Sequence, residues 1–470
     1  MGSVVTTERP QKLWASVREA LRGSHQDYTA GSLNRAIFLL ALPMVLEMCM
    51  ESLFAIVDVF WVARLGEDAV STVGLTEALL YLVYSVVWGL GLSATAMVAR
   101  RVGEKDQEGA AVAGAQGILL GVAVGVLMGV PGLVLAPRLL RLMGATPGIL
   151  AVGSNYARVA LGGCVIVTLL FLNNAVFRGA GDAAIAMRVL WLSNILNIIL
   201  DPCLIFGLGP FPRLGVTGAA VATLTGRSIG VLYQFYRFLQ GGEHIRILAR
   251  QIRLHAGVMM RLLSVSLTGI TQFAIPHVAW IALVRIISTF GSAAVAGYTI
   301  GIRIIVFFIL PSWGLSGAAA TLVGQSLGAR DPDRAEKSVW LTGFYNMVFL
   351  GGIGVFLVLF AGPVVRLFTH DPAVVPLAVS CLRILSYGNI GYAYGMVMLQ
   401  AFNGAGDTLT PTVVNLLGFW LLETPLAYAL AIPLGWRSNG VFLAILMSEC
   451  AIAAVSVIVF SRGRWKAERI

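Results

Sequence analysis

The chain has 470 residues, 58% of them hydrophobic and only 12% charged, with a formal net charge of +10. A soluble domain carries about 25% charged residues, so this composition excludes a chain with a water-facing surface all round. The basic excess falls in short segments between long apolar runs, which argues against a nucleic-acid footprint.

Twelve predominantly apolar stretches start near residues 35, 69, 112, 150, 184, 216, 259, 294, 338, 375, 410 and 440. Roughly 20 apolar residues cross about 30 Å of hydrocarbon. The expectation is an all-α polytopic membrane protein with 12 transmembrane helices. Its divisions are an N-terminal segment 1–34, a six-helix lobe 35–239, a linker 240–258, a second six-helix lobe 259–461 and a tail 462–470.

Residues 1–34 lack the apolar core and cleavage pattern of a signal peptide. Leu13, Trp14, Val17 and Leu21 share one helical face flanked by Lys12, Arg18 and Arg22, a pattern for a short helix on an anionic membrane surface. In span 1, Glu47, Glu51 and Asp58 form one stripe of the helix. An ionisable group at the bilayer centre costs about 2.5–3.5 kcal/mol on insertion scales, so each needs a reason. Tyr156 lies early in span 4, and Asn173 and Asn174 end it. In span 5, Asn194, Asn197 and Asp201 again lie on one face, followed by Pro202, which removes a backbone donor. Thr223 and Thr225 lie in span 6. The two acidic stripes are expected to converge on one water-filled pocket. There, carboxylates exchange a proton or, with amide and hydroxyl oxygens, ligate Na⁺ at Asp58, Asn197 and Asp201. Glu47, Glu51, Asn173 and Asn194 are also candidates for lining a substrate cavity. In the second half Gln272, Trp280, Tyr392 and Glu423 are substrate-cavity candidates, because aromatic faces and a carboxylate attract cations. Glu423 precedes Thr424 and Pro425, an expected helix break, and Glu449 is the other intramembrane carboxylate of this half.

The five cysteines lie apart in apolar stretches and read as small buried hydrophobes, with no disulfide and no further metal site. No nucleophile or acid–base constellation marks an enzyme, and no cofactor is expected.

The chain repeats itself at an offset of 225 residues without a gap. Gly66 answers Gly291, Trp88-Gly89-Leu90 answers Trp313-Gly314-Leu315, Asp106 answers Asp331, and the GAGD run at 179–182 answers that at 404–407. Six spans return the chain to its starting side, so the two copies are parallel, with a substrate site expected between them. The acidic residues break the symmetry. Glu47, Glu51, Asp58, Asn197 and Asp201 correspond to Gln272, Pro276, Leu283, Leu422 and Leu426. The N-terminal half is therefore expected to bind the coupling cation. Of the 33 Lys and Arg, 22 fall on the side of the N-terminus. Both termini are expected to be cytoplasmic, in a cell inner membrane.

These residues resemble the multidrug and toxic compound extrusion (MATE) family from about residue 33 to 460. The match rests on DVFWVARLG at 58–66, FRGAGD at 177–182, NILNIILDP at 194–202 and GAAVAT at 218–223. The closest likeness is to the prokaryotic DinF-like branch. The resemblance implies a V-shaped pair of lobes and H⁺- or Na⁺-driven export of small cationic or amphipathic compounds, by a monomer embedded in lipid. It implies a cation site of Asp58, Asn174, Asn197, Asp201 and Thr223, with Tyr156 nearby. Another branch carries a Glu in span 7 and a carboxylate in span 10; here span 7 has Gln272 and Pro276, and span 10 has Asn389. The alternative reading is a flippase for a lipid or lipid-linked precursor, for which Arg303 in span 8 is the one basic candidate.

Overall fold

A computed structural model describes residues 8–23, 26–241, 245–468 and 470, and the described residues form helices and connecting turns. A short helix α1 (Glu8–Arg22) precedes α2 (Leu33–Val62), α3 (Glu67–Gly103), α4 (Gln107–Leu142), α5 (Pro147–Gly162), α6 (Cys164–Ala180), α7 (Ala183–Phe206) and α8 (Val216–Gln240). The second half comprises α9 (Ala256–Ser288), α10 (Ser292–Gly328), α11 (Pro332–Arg366), α12 (Val375–Ser386), α13 (Asn389–Ala405), α14 (Leu409–Asn415), α15 (Thr424–Ala431) and α16 (Arg437–Ser461).

Among the described residues, nine of these segments are long and apolar enough to cross a membrane: α2, α3, α4, α7, α9, α10, α11, α16 and the continuous run from α14 to α15. The pair α5–α6, bent by 41° at Gly163, makes a tenth. The remaining two of the twelve expected stretches are α8 and the pair α12–α13. Their polar residues, including Arg227 and Gln234 in α8 and Arg383 in α12, dilute the apolar signal.

The repeat is visible in backbone detail. Asp106 and Asp331 each cap the following helix by accepting from the backbone N–H three residues on, at 2.8 and 2.9 Å. The residues before them, Lys105 and Arg330, both adopt positive φ, 60° and 59°. Both GAGD runs end a helix on a left-handed glycine, Gly181 at φ 92° and Gly406 at φ 93°. They are turns, as the sequence implies.

Helices α2–α8 pack into one lobe and α9–α16 into the other, and the lobes meet where α2 packs on α10 and α3 on α9. Two repeat-related glycines allow this. A side chain on Gly89 would overlap the backbone of Ile270 in α9, and one on Gly314 would overlap the backbone of Met44 in α2. Tryptophans sit one residue earlier. Trp88 lies 6.1 Å from Trp313 and 5.5 Å from Phe273, ring centre to ring centre, and His277 stands beside Trp88 and Tyr81. These rings form a layer across the lobe interface.

Both chain ends gather at one face, that of the α3–α4 and α10–α11 turns. Arg334 donates to the carbonyls of Tyr28, Ala30 and Gly31, Arg100 donates to the Glu468 carbonyl, and Lys466 pairs with Glu336 at 2.5 Å. The expected helix near the N-terminus exists as α1. It docks on α2 through Glu19–Arg35 at 2.7 Å, with Trp14 largely exposed. The side chains of Lys12 and Leu13 lie outside the described set. The segment after α8 is not a free connector. Ile245 and Ile247 are buried in the first lobe's core, and Arg250 and Gln251 both reach Glu108 at 3.1 Å.

Candidate transport sites

Asp58 arrives on α2, Asn197 and Asp201 on α7, Thr223 on α8 and Tyr156 on α5. The Asn197 Nδ2 donates to Asp201 Oδ1 at 3.2 Å and to Thr223 Oγ1 at 3.0 Å. Asp58 and Asp201 lie within electrostatic reach of each other, and both act on the buried Tyr156 hydroxyl. The decisive feature is what is left over. Asp201 Oδ2 and Asn197 Oδ1 are buried without a hydrogen-bond partner. A buried oxygen without a donor is costly. A proton on the carboxylate, or a bare cation between carboxylate and amide oxygens, removes that cost. The donor set fits either ion.

Asn174 is placed elsewhere. Its Nδ2 donates to Glu47 Oε1 at 3.1 Å, and its Oδ1 accepts from Gln234 Nε2 at 2.8 Å. Glu47 is fully buried and is also approached by Arg178 Nη1 at 3.5 Å. Asn173 bonds Gln234 Oε1 at 3.0 Å. Glu47 and Asn173 therefore belong to a second polar network between α2, α6 and α8, in which Glu47 Oε2 and Asn173 Oδ1 are likewise buried without a hydrogen-bond partner. Glu51 accepts from Asn194 Nδ2 at 3.0 Å and lies 3.7 Å from Arg227 Nη2. Arg227 donates to the Tyr84 hydroxyl at 3.1 Å and lies near the faces of Phe54 and Phe171. So Glu51 carries a built-in counter-cation, which Asp58 and Asp201 lack at ion-pair distance among the described residues.

Sequence reasoning missed Arg227 as the partner of Glu51, Arg178 as a partner of Glu47, Gln234 as the partner of Asn173 and Asn174, and Glu77 on α3, whose charge reaches Asp58. Glu77 was findable as a carboxylate inside an apolar run. The pairings were not, since they join residues more than a hundred positions apart.

In the second lobe, Gln272 is buried with Oε1 unpartnered, while its carbonyl accepts from Asn415 Nδ2 at 3.2 Å. Trp280 is about half exposed and lies near Tyr298; Tyr392 lies near Trp313 of the aromatic layer. Glu423 is buried at the end of a π-helical segment, Leu416–Glu423. Thr424 N–H and hydroxyl both return to the Phe419 carbonyl, closing this wider turn ahead of Pro425. The expected helix break is thus a π-helical widening rather than a gap.

The MatE family model matches residues 43–203 and again 270–429, once in each lobe. The chain belongs to the MATE family. A probable multidrug resistance protein NorM of Thermotoga maritima is 25% identical over 438 residues, 92% of this chain and 93% of the relative. An FAD transporter of Shewanella oneidensis is 26% identical over 397 residues, 84% of this chain and 87% of the relative. Among solved structures, a MOP superfamily transporter from Pyrococcus furiosus superposes with a TM-score of 0.86 at 27% identity, covering 96% of this chain and 98% of that one. MATE proteins are transporters, not enzymes, built of 12 transmembrane helices in two lobes.

Proposed function

We propose that this MATE transporter exports cationic or amphipathic compounds from the cytoplasm in exchange for H⁺ or Na⁺, with the coupling cation held in the N-terminal lobe. The observation that carries this reading is the pair of partnerless buried oxygens, Asp201 Oδ2 and Asn197 Oδ1, facing the same interior as Asp58. The names of the relatives, most of them multidrug resistance or export proteins, support the substrate class.

In this reading a cation enters from outside and neutralises Asp58 and Asp201. Repacking around α2 lowers affinity for the cargo, which leaves outward. Rocking of the lobes about the Gly89 and Gly314 contacts then returns the empty carrier, and cation release inside restores affinity. Coupling requires cation and cargo to bind the alternate states with different free energies. In this reading the protein spans a cell inner membrane with both termini on the cytoplasmic side, which the excess of Lys and Arg on the side of the N-terminus supports. A monomer suffices, because both lobes are in one chain.

The test is transport of a fluorescent cationic dye by inverted vesicles under a pH gradient or a Na⁺ gradient, imposed separately. Gradient-driven dye movement that disappears in D58N and D201N is the expected result, and the effective gradient names the ion. Full ion-coupled transport in either variant would defeat the N-terminal site. Because one relative is named for FAD, that compound belongs in the test set; movement of FAD with no movement of cations would overturn the cationic cargo class.

A further inference from the structure

Two carboxylates in the second lobe have no part in the scheme above. Glu449 stands at the middle of α16, and Glu423 lies on the neighbouring antiparallel π-helical segment, about one helical turn away in depth. Contacts on either side fix that offset. Gly440 abuts Leu430 and Ala431, and the Ser448 hydroxyl donates to the Gly418 carbonyl at 2.8 Å. Glu423 is 3% exposed, and its Oε2 has no hydrogen-bond partner; Glu449 is half-buried. The two are close enough for their charges to act on each other.

Among the described residues, no ion pair reaches either of them. This separates them from Glu47 and Glu51, which have Arg178 and Arg227. Their titratable surroundings are all neutral: Tyr298 on α10 faces Glu423, Tyr392 on α13 faces Glu449, Cys450 adjoins it on α16, and Cys381 on α12 lies behind Tyr298. On α9, Trp280 lies near Tyr298, while the His277 ring is turned to Tyr81 and Trp88; on α15, Tyr428 is exposed. Two ionised carboxylates cannot share a low-dielectric site without a counter-charge. One ion must be supplied from outside the chain. The walls are phenols, indole and one hydroxyl, too few oxygens to replace the shell of a metal ion, but enough to hold a proton.

We propose that Glu423 and Glu449 form a second proton-exchange site, in the C-terminal lobe, distinct from Asp58 and Asp201. A carboxylate of the pair takes a proton from water and becomes a carboxylic acid; on release the proton returns to water. Glu449, half-buried, is the port, and Glu423 is the sealed member. Tyr392 lies near both Glu449 and Trp313, so charge on the pair acts beside the aromatic layer where Trp313 meets Trp88. The repeat mates of Glu423 and Glu449 are Ile198 and Leu224, so each lobe carries acids that the other lacks.

The test uses the purified full chain in lipid. Infrared difference spectra across a pH titration report protonated carboxyl groups whether or not transport is active. The expected result is that, in D58N/D201N protein, E423Q or E449Q removes a component of the carboxyl band, leaving the part that Glu47, Glu51 and Glu77 contribute unchanged. In wild-type proteoliposomes under an imposed pH gradient, E449Q is expected to lower the limiting cargo gradient about tenfold per pH unit, the worth of one coupled proton. E449Q is the safer variant, since its side chain is half-buried. An unchanged band in both Gln variants, or an unchanged limiting gradient with transport intact, overturns the site. If wild type shows no proton-driven transport, the exchange scheme above fails, and the infrared titration still decides this site.

Discussion

Asp201 and Glu51 show how the same residue type takes opposite roles inside one lobe. Glu51 has Arg227 at 3.7 Å and an amide donor; Asp201 has one amide bond and an oxygen with nothing to meet it. Removing one member of a buried ion pair costs about 3–5 kcal/mol. R227M and E51Q are each expected to lower the thermal midpoint of the purified protein, and the double variant R227M/E51Q is expected to lose less than the sum. Strictly additive losses in that cycle would mean the pair is not coupled. Asn197 holds Asp201 and Thr223 together. A hydrogen bond to a charged group contributes about 1.5–3 kcal/mol. N197A is therefore expected to weaken cation-driven transport about tenfold or more, with the folded protein recovered in normal yield. Transport at the wild-type level would show that Asn197 does not position the site.

At the scale of elements, the repeat-related glycines on α3 and α10 set how closely the lobes approach. Gly89 and Gly314 each lie against the backbone of the other lobe's first helix, with no room for a β-carbon. G89V and G314V are expected to wedge this side open and favour the opposite-facing state. Cysteine-accessibility labelling on the two sides of the membrane measures that bias. Unaltered labelling in both variants would show that these contacts are not the closure. The GAGD turns make a smaller claim. Gly181 and Gly406 sit at φ near +92°, a conformation that L side chains rarely adopt. G406A is expected to destabilise by about 1 kcal/mol, read as a lower thermal midpoint with transport retained.

At the scale of the whole molecule, the two lobes share a scaffold and differ in their acids. The first lobe holds Asp58 and Asp201; the second holds Glu423 and Glu449. In the proposed scheme, ions and cargo bias one rocking motion from two lobes. Exchange of the two halves' acids is not expected to be neutral, because Asn197, which donates to Asp201, answers Leu422 in the second lobe, a side chain that can neither donate nor accept.

The helical class, the twelve apolar stretches, the 225-residue repeat and the two acidic faces are all legible in the amino-acid order. Each depends on hydrophobic length or on helical period, which are local quantities. The GAGD turns were legible for the same reason, since a glycine of positive φ is fixed by its immediate neighbours. Which partner each buried acid meets is set by the packing of distant helices. Asn174 turns to Glu47 rather than to Asp201, and Glu51 finds Arg227. That packing also gives the break before Pro425 its π-helical form and brings Trp88 and Trp313 together across the lobes. Spacing along a helix gives the face a side chain occupies. What stands opposite that face depends on how helices far apart in the chain are packed, and for buried charge that is what sets the chemistry.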